Sequence, residues 1–293
     1  MRMGVLDIGS NTGHLAVFDA ESGRPPVRVH KFRKMLRLAD RVDGEGALTD
    51  DGLEDLLAYT TRARAVADEQ GVDVLPVATA TIRDAPNRAE ILAAVREASG
   101  FDLSVLSREK EAQLTFLAAR RWIRWSGRAP GRIGVVDLGG GSLEIAAGRH
   151  EAPEDWGSWR LGAGRLTREW VGRGRAPAEL RRYARAEIEP HVDRLVGDGL
   201  DLAVGTSRTM RMLGSLCGEP VRKGDLTRLV EQVAGMEVSE ITELPGVPKE
   251  RADQVLAGSI VADVVMDLFS LDELEICPWA LREGVLLQHL DHL

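Results

Sequence analysis

Two stretches of this 293-residue chain share one design. They are Gly4-Val5-Leu6-Asp7-Ile8-Gly9-Ser10-Asn11-Thr12 and Gly134-Val135-Val136-Asp137-Leu138-Gly139-Gly140-Gly141-Ser142-Leu143-Glu144. Each is a short apolar run, an Asp, a turn of Gly and hydroxyl residues, and a second apolar run. The first run reads as a buried strand ending in a carboxylate. The turn exposes backbone N–H groups and hydroxyls suited to phosphate oxygens. Two such loops facing each other would grip a polyphosphorylated ligand, with the Asp residues placed for a divalent metal. One Asp-Gly-Ser turn alone would read as an ordinary hairpin connection; its duplication points to function.

Other residues could complete a hydrolytic site. Phosphoanhydride hydrolysis needs a positioned water, a group to take its proton, and positive charge around the transferring phosphoryl group. Glu111 stands in the first turn of a helix that follows a strand, with Glu109 close by; a solvated acidic helix N-terminus is the competing reading. Asp137 and Glu144, with Asp7 as a third carboxylate, offer hard oxygen ligands suited to Mg²⁺ or Mn²⁺. Glu144 would point back across the turn, or face outward as a plain strand residue. Arg83 can chelate phosphate oxygens or pair with the adjacent Asp84. Lys31, Arg33, Lys34 and Arg37 alternate partly in strand register and read as a polyanion route or as a solvated strand face. Gly205-Thr206-Ser207 reads as a further nucleotide-side turn or as a simple strand-to-helix connection.

The elements that must hold these residues fall into two α/β sets. Strands are expected around the Asp7 loop and over 15–19, 27–32, 72–78 and 103–106. Helices are expected from Leu53 to Gln70 with Thr49 as N-cap, through Ala98 with Asn87 as cap, and from Glu109 to Trp125. The order then repeats. Strands at 133–136, 143–147 and 158–161 precede a long amphipathic helix from Ala178 to Leu195 and a strand at 202–204. Helices follow at 208–217, 225–236, 249–268 and 279–290, with a short strand at 274–276. The polar stretch from Arg124 to Arg132 marks the boundary. The expected domains are therefore 1–125 and 126–293, the last helix packing back on the first domain.

Composition narrows the class. Hydrophobic content of 44% and charged content of 29% are globular values. The formal net charge of −8 argues against a nucleic-acid coat or an anionic membrane surface. No apolar run approaches a transmembrane span. Cys217 and Cys277 cannot build a disulfide framework, which makes a reducing cytoplasm the expected compartment. The six His residues form no metal-binding pattern, and the Trp residues read as packing groups.

Taken in order, Asp7-Ile8-Gly9-Ser10-Asn11-Thr12, Ala78-Thr79-Ala80-Thr81-Ile82-Arg83-Asp84-Ala85-Pro86-Asn87, Ser107-Arg108-Glu109-Lys110-Glu111-Ala112, Asp137-Leu138-Gly139-Gly140-Gly141-Ser142-Leu143-Glu144, Gly205-Thr206 and Ala280-Leu281-Arg282-Glu283-Gly284 resemble the exopolyphosphatase / guanosine pentaphosphate phosphohydrolase (Ppx/GppA) family in its short, two-domain form. The resemblance implies two ribonuclease-H-like domains of the actin-like ATPase superfamily with an interdomain cleft. It implies Glu111 as base and Arg83 as a catalytic cation. Gly9, Ser10, Asn11, Thr12, Gly139, Gly140, Gly141 and Ser142 would bind phosphate, and Asp137, Glu144 and Asp7 the metal, Mg²⁺ or Mn²⁺. The implied substrate is inorganic polyphosphate, or guanosine pentaphosphate at the same site; the implied assembly is a cytoplasmic homodimer. Two positions depart from the family pattern: Arg108 stands where Gly is usual, and Lys110 where an acidic residue is usual. Lys110 places a cation beside Glu111 in sequence, which keeps a non-catalytic polyphosphate or nucleotide sensor in view. A kinase of the same superfamily is disfavoured because the Glu-Ala motif suits water activation.

Overall fold

In the computed structural model, which describes residues 1–292, the alternation of apolar residues along the first strands divides them between two faces. Strand β1 (Arg2–Ile8) pairs antiparallel with β2 (Thr12–Asp19), and β2 with β3 (Val27–Met35). Strands β4 (Asp73–Ala78) and β5 (Ser104–Val105) continue the sheet in parallel, giving the order β3-β2-β1-β4-β5. Side chains alternate along a strand. Met3, Val5, Ala16 and Phe18 therefore pack on one face with Leu286 and Leu290 of the C-terminal helix Leu281–Asp291. Leu6, Ile8, Leu15 and Val17 pack on the other with Leu56, Tyr59, Ile91 and Val95. These last four come from helices Asp50–Gln70 and Arg88–Ser99, each stopped by a glycine in the left-handed region, Gly71 (φ 62) and Gly100 (φ 71). Edge strand β3 carries Lys31, Arg33 and Lys34 exposed, a common protection against edge-to-edge pairing.

The second unit repeats the plan. Strands β6 (Ile133–Leu138), β7 (Leu143–Gly148) and β8 (Asp155–Trp159) form an antiparallel meander. Strand β9 (Leu202–Thr206) runs parallel to β6, and β11 (Glu273–Ile276) parallel to β9. One addition, β10 (Val221–Arg222), pairs antiparallel with β11, and the order is β10-β11-β9-β6-β7-β8. Without β10 this is the strand order of the first sheet, as expected for two ribonuclease-H-like halves.

Three expectations change. The compact units are Met1–Leu114 with the segment from Leu281, and Thr115–Ala280, in place of a division at 125/126. Helix Arg108–Trp125 ends at the expected boundary and contains the 114/115 division, and Arg120 ties its last part to the carbonyls of Pro130 and Gly131 at 3.0 and 3.1 Å. The polar 124–132 stretch thus belongs inside the second unit. The single helix from Ala178 to Leu195 is broken into Pro177–Ile188, a 3₁₀ turn Glu189–His191, and Val192–Val196. Pro190 has no N–H for the helical ladder, which forces the break. Asn87 precedes its helix without a side-chain cap; its amide instead binds the Leu48 N–H and C=O at 3.0 and 2.9 Å.

Helix Val255–Leu268 is buried almost all round and carries Asp263 into the core of the second unit, 1% exposed. Lys223 Nζ donates to its Oδ1 at 2.6 Å, Thr227 Oγ1 at 2.8 Å, and Arg181 pairs with Oδ2. Burial alone would raise the Asp263 pKa, but the bonds from Lys223, Thr227 and Arg181 outweigh it and hold the carboxyl below the usual range. One carboxylate thereby joins helices Pro177–Ile188, Lys223–Ala234 and Val255–Leu268. We predict that Asp263→Ala destabilises the protein by about 1.5–3 kcal/mol through the loss of its charged hydrogen bonds, Lys223 and Arg181 being exposed enough to regain water. A depressed carboxylate gives stability that is present above its unfolded pKa, about 3.9, and lost as pH falls through its lower folded value. Urea melts at pH 7 and below pH 4 should show that acid-dependent loss in the wild type and a smaller one in Asp263→Ala.

Candidate active site

Both expected loops are turns at the end of a strand hairpin, and the same bond closes each. Gly9 N–H donates to Thr12 O at 3.0 Å, and Gly139 N–H to Ser142 O at 2.9 Å. These two glycines shape the turns with their N–H groups. The Asp on each first strand faces a residue on the returning strand: Asp7 lies opposite His14, and Asp137 opposite Glu144. Directly opposed residues of an antiparallel pair share one face. Glu144 therefore sits on the same side as Asp137, not on the outer face.

The direction of the second loop follows from its carbonyls. Gly139 O accepts from Ala163 N at 3.0 Å, Gly140 O from Arg165 N at 2.9 Å, and Gly141 O from Arg165 Nε at 3.2 Å. In a planar trans peptide the following N–H points the opposite way. The N–H groups of Gly140, Gly141 and Ser142 are consequently turned as a set away from helix Ala163–Glu169, the arrangement of an anion-binding nest. A Cβ on Gly162 would lie 2.3 Å from both Gly141 C and Ser142 N, so only glycine lets the helix approach this close. Arg165, whose pKa is lowered by burial and by nearby Arg160, also pairs with Glu169 at 3.1 Å. The first loop uses backbone in place of a helix. Ser10 O accepts from Ala39 N at 3.0 Å, and Asn11 O from Leu36 N and Arg37 N at 2.9 and 3.0 Å. The N–H groups of Asn11 and Thr12 face away from that segment. Ser10, Asn11 and Ser142 are buried.

The carboxylates differ in their partners. Arg282 Nη1 donates to Asp7 Oδ2 at 2.9 Å. Burial pushes the Asp7 carboxyl above the usual range, against the pull of Arg282 and with a further push from Glu283. In the second unit, Thr115 Oγ1 reaches Asp137 Oδ2 at 3.4 Å, and Ser158 Oγ donates to Glu144 Oε1 at 2.8 Å. Among the described residues, no group of three or more His, Cys, Asp or Glu side chains is gathered as a metal cluster. Within the first unit Asp7 faces a guanidinium, and within the second Asp137 and Glu144 stand as an opposed pair. Two carboxylate oxygens on one face do fit Mg²⁺ or Mn²⁺, which take one or two carboxylates and complete their shell with water and phosphate oxygens.

Glu111, 8% exposed, meets Arg83 Nη1 at 2.7 Å; the same nitrogen donates to Leu106 O at 3.1 Å. Arg83 lies in the short helix Ala80–Asp84, and its contact with Asp84 is the longer one, 3.5 Å. Its Nη2 is buried with no hydrogen-bond partner among the described residues. Ser107 caps the Glu111 helix through its Oγ, which accepts from Lys110 N at 3.1 Å. Neither departure from the family pattern contacts Glu111 in the bonds seen here. Arg108 pairs with Asp84 at 3.3 Å, and Lys110 lines a cavity with Val285 and Gln288. Lys34 of the basic strand is paired with Asp55 at 2.9 Å, and Arg37 adopts a left-handed backbone (φ 49) where two consecutive N–H groups reach Asn11. Ser207 is strained at φ 93 and anchored through Oγ to Leu138 O at 2.8 Å, so the Gly205-Thr206-Ser207 turn is fastened to the root of the second loop.

The sequence reading assigned no role to Arg282, Thr115, Ser158, Gly162 or Arg165. Arg282 lay within a quoted motif, and Gly162-Ala163-Gly164 directly after an apolar strand was a legible sign of close backbone approach. Thr115 and Ser158 carry no spacing signal.

The Ppx/GppA phosphatase family profile matches residues 16–293. Exopolyphosphatase 1 of Mycobacterium tuberculosis is 43% identical over 309 residues, covering 99% of this chain and 89% of that protein. The guanosine-5'-triphosphate,3'-diphosphate pyrophosphatase of Vibrio atlanticus is 28% identical, covering 98% of this chain but 59% of that protein. The structure of the Aquifex aeolicus PPX-GPPA enzyme superposes with a TM-score of 0.81 at 26% identity, covering 98% of this chain and 99% of the other. An exopolyphosphatase structure from Cytophaga hutchinsonii gives 0.86 at 22% identity, over 100% and 99% of the two chains, and shares the fold. With the two opposed-strand loops and the Arg83–Glu111 pair in place, this chain belongs to the Ppx/GppA phosphatase family.

Proposed function

We propose that the protein is a metal-dependent exopolyphosphatase that releases terminal orthophosphate from inorganic polyphosphate by water attack. The observation that carries this reading is the Glu111–Arg83 pair: a buried carboxylate held at 2.7 Å by a guanidinium whose Nη2 is buried without a protein partner. Glu111 takes the proton of the attacking water. Arg83 fixes the Glu111 carboxylate and turns its remaining N–H donors to phosphoryl oxygens. The nest of Gly140, Gly141 and Ser142 and the N–H groups of Asn11 and Thr12 bind phosphate oxygens, while Gly9 and Gly139 keep the turns closed. Asp137 and Glu144 would hold the ion, oriented by Thr115 and Ser158; bound there, Mg²⁺ or Mn²⁺ neutralises charge on the phosphoryl oxygens. Asp7, paired with Arg282, anchors the first hairpin. No helix among the described residues is long and apolar enough to cross a membrane, and we place the enzyme in the cytoplasm as a homodimer acting on a small polyanion, not on nucleic acid.

Phosphate release from polyphosphate, ATP and guanosine pentaphosphate, measured side by side, tests the substrate. Polyphosphate should give the highest kcat/KM, and a higher value for guanosine pentaphosphate would transfer the assignment to that nucleotide. Glu111→Gln should lower kcat by ~10²–10⁴-fold with substrate binding nearly unchanged, since the amide keeps the shape but accepts no proton. Retention of a tenth or more of the rate would remove Glu111 from the base role.

Gly162→Ala tests the nest separately. Its methyl group must displace the Gly141–Ser142 backbone, and a shift approaching 1 Å at a positioning loop costs ~10²-fold in rate. The expected result is a large loss of kcat/KM in a folded variant whose melting temperature is lowered by the overpacking; unchanged kinetics would exclude the nest from catalysis. Asp137→Ala should raise the Mg²⁺ or Mn²⁺ concentration needed for half-maximal rate, and full wild-type activity in excess EDTA would rule out the metal-dependent mechanism.

A further inference from the structure

The arginine-rich segment before β6 is not used by the mechanism. With the segment after β7 it encloses a cavity of about 390 Å³ in the second unit. The lining holds four arginines, Arg120, Arg124, Arg128 and Arg149, against one carboxylate, Glu151. Both segments lie at the end of the β6–β7 hairpin opposite the Gly139–Ser142 turn. Six residues of strand rise about 20 Å, so this cavity is separate from the candidate active site.

The pairing of these cations leaves positive charge over. Arg120 donates only to carbonyls in the bonds seen here, those of Pro130 and Gly131 at 3.0 and 3.1 Å and that of Arg149. Arg128 is held by Glu275 at 2.8 Å. Glu151 is bound by Arg121 at 2.7 Å and stands 3.7 Å from Arg124, whose side chain is 76% exposed. Arg149 reaches Glu154 at 3.3 Å, but that carboxylate also pairs with the buried Arg132. Arg132 has Asp155 as a second partner at 3.3 Å; of the residues lining the cavity itself, four are arginines and one is a carboxylate.

We propose that this cavity is a second anion site that holds a short inorganic phosphate oligomer between Arg120, Arg124 and Arg149. Guanidinium forks match phosphate oxygens two at a time and desolvate more readily than ammonium groups. Arg120 is preset by its three carbonyl bonds, while Arg124 and Arg149 have solvent-exposed side chains at the rim. His150 is the one ring in the lining, against four guanidinium groups, and this excess of phosphate-matching forks favours an inorganic oligomer over a nucleotide. That choice of ligand rests on the exopolyphosphatase reading; the anion site itself rests on the charge geometry.

Calorimetric titration with imidodiphosphate, whose P–N–P bridge resists hydrolysis, tests the site without turnover. The wild type should bind two equivalents, and Arg124→Glu/Arg149→Glu one, with the lost class weakened at least ~10-fold by charge reversal. The double variant should keep wild-type kcat and KM on tripolyphosphate, since neither residue belongs to the catalytic machinery. Hydrogen exchange on the wild type supplies a measurement independent of the variant's folding: imidodiphosphate should protect peptides spanning 120–131 and 148–151. One equivalent in the wild type, or no protection there, would overturn the proposal. Tighter binding of the imido analogue of ATP at the same peptides would overturn the inorganic assignment. Failure of polyphosphate turnover, with two binding classes intact, would count against the catalytic reading and leave the anion site standing.

Discussion

Burying a carboxylate costs several kcal/mol unless hydrogen bonds or a cation replace its lost water. The site of this protein is arranged around that constraint. Each carboxylate with an expected role sits on or beside an element whose neighbours are apolar, and each arrives with a partner from a different stretch of chain. Arg282, at the far end of the sequence, serves Asp7; Arg83 serves Glu111 across 28 positions; Ser158 serves Glu144 across 14. The supporting elements must fold correctly for any of these partners to arrive. This is why the C-terminal helix packs Leu286 and Leu290 onto β1 and β2, and why Gly284 meets Leu114 O where a Cβ would lie at 2.0 Å.

The two hairpins show one backbone solution carried out with different supports. Each turn is closed by the same Gly N–H to hydroxyl-residue C=O bond, and each has its carbonyls drawn to one side by other backbone donors. The first draws its donors from the segment 36–39, which comes directly off β3. The second draws them from helix Ala163–Glu169 and the Arg165 side chain, which requires Gly162 and three consecutive glycines in the turn. In both, the N–H groups on the opposite side are set by peptide planarity and not by any side chain. An anion bound there would meet donors already in place, which is the condition for strong electrostatic stabilisation.

Much of this was legible in the sequence because it rests on local signals. The strand-Asp-turn-strand repeat, the helix stops at Gly71 and Gly100, and the helix from 108 onward are all short-range patterns, and they correspond to elements of the structure within a few residues. What was not legible depends on which distant side chain arrives. Nothing near Asp7 in sequence announces Arg282, and Arg83 carried Asp84 beside it as a closer partner than Glu111. The domain boundary was misplaced for a related reason. A polar, Gly- and Pro-containing stretch ordinarily marks a linker, but here its carbonyls are acceptors for Arg120 and its arginines line a cavity, so polarity signalled an interaction and not an exposed hinge. Pro190 was visible throughout; its power to break the amphipathic pattern from Ala178 was underestimated.

The partners also divide the labour between the two Asp residues. A guanidinium neutralises the carboxylate it binds, whereas a hydroxyl orients a carboxylate and leaves its charge in place. Asp7, held by Arg282 and opposed by His14, has the character of a structural anchor for its hairpin. Asp137 and Glu144 are opposed on one face and met by the hydroxyls of Thr115 and Ser158. Two hard oxygen donors on one face would suit a divalent cation, which would leave positions open for phosphate oxygens. The two hairpins repeat one backbone, but the groups that meet their carboxylates come from outside them: Arg282 from the C-terminal helix, Thr115 from helix Arg108–Trp125 and Ser158 from β8.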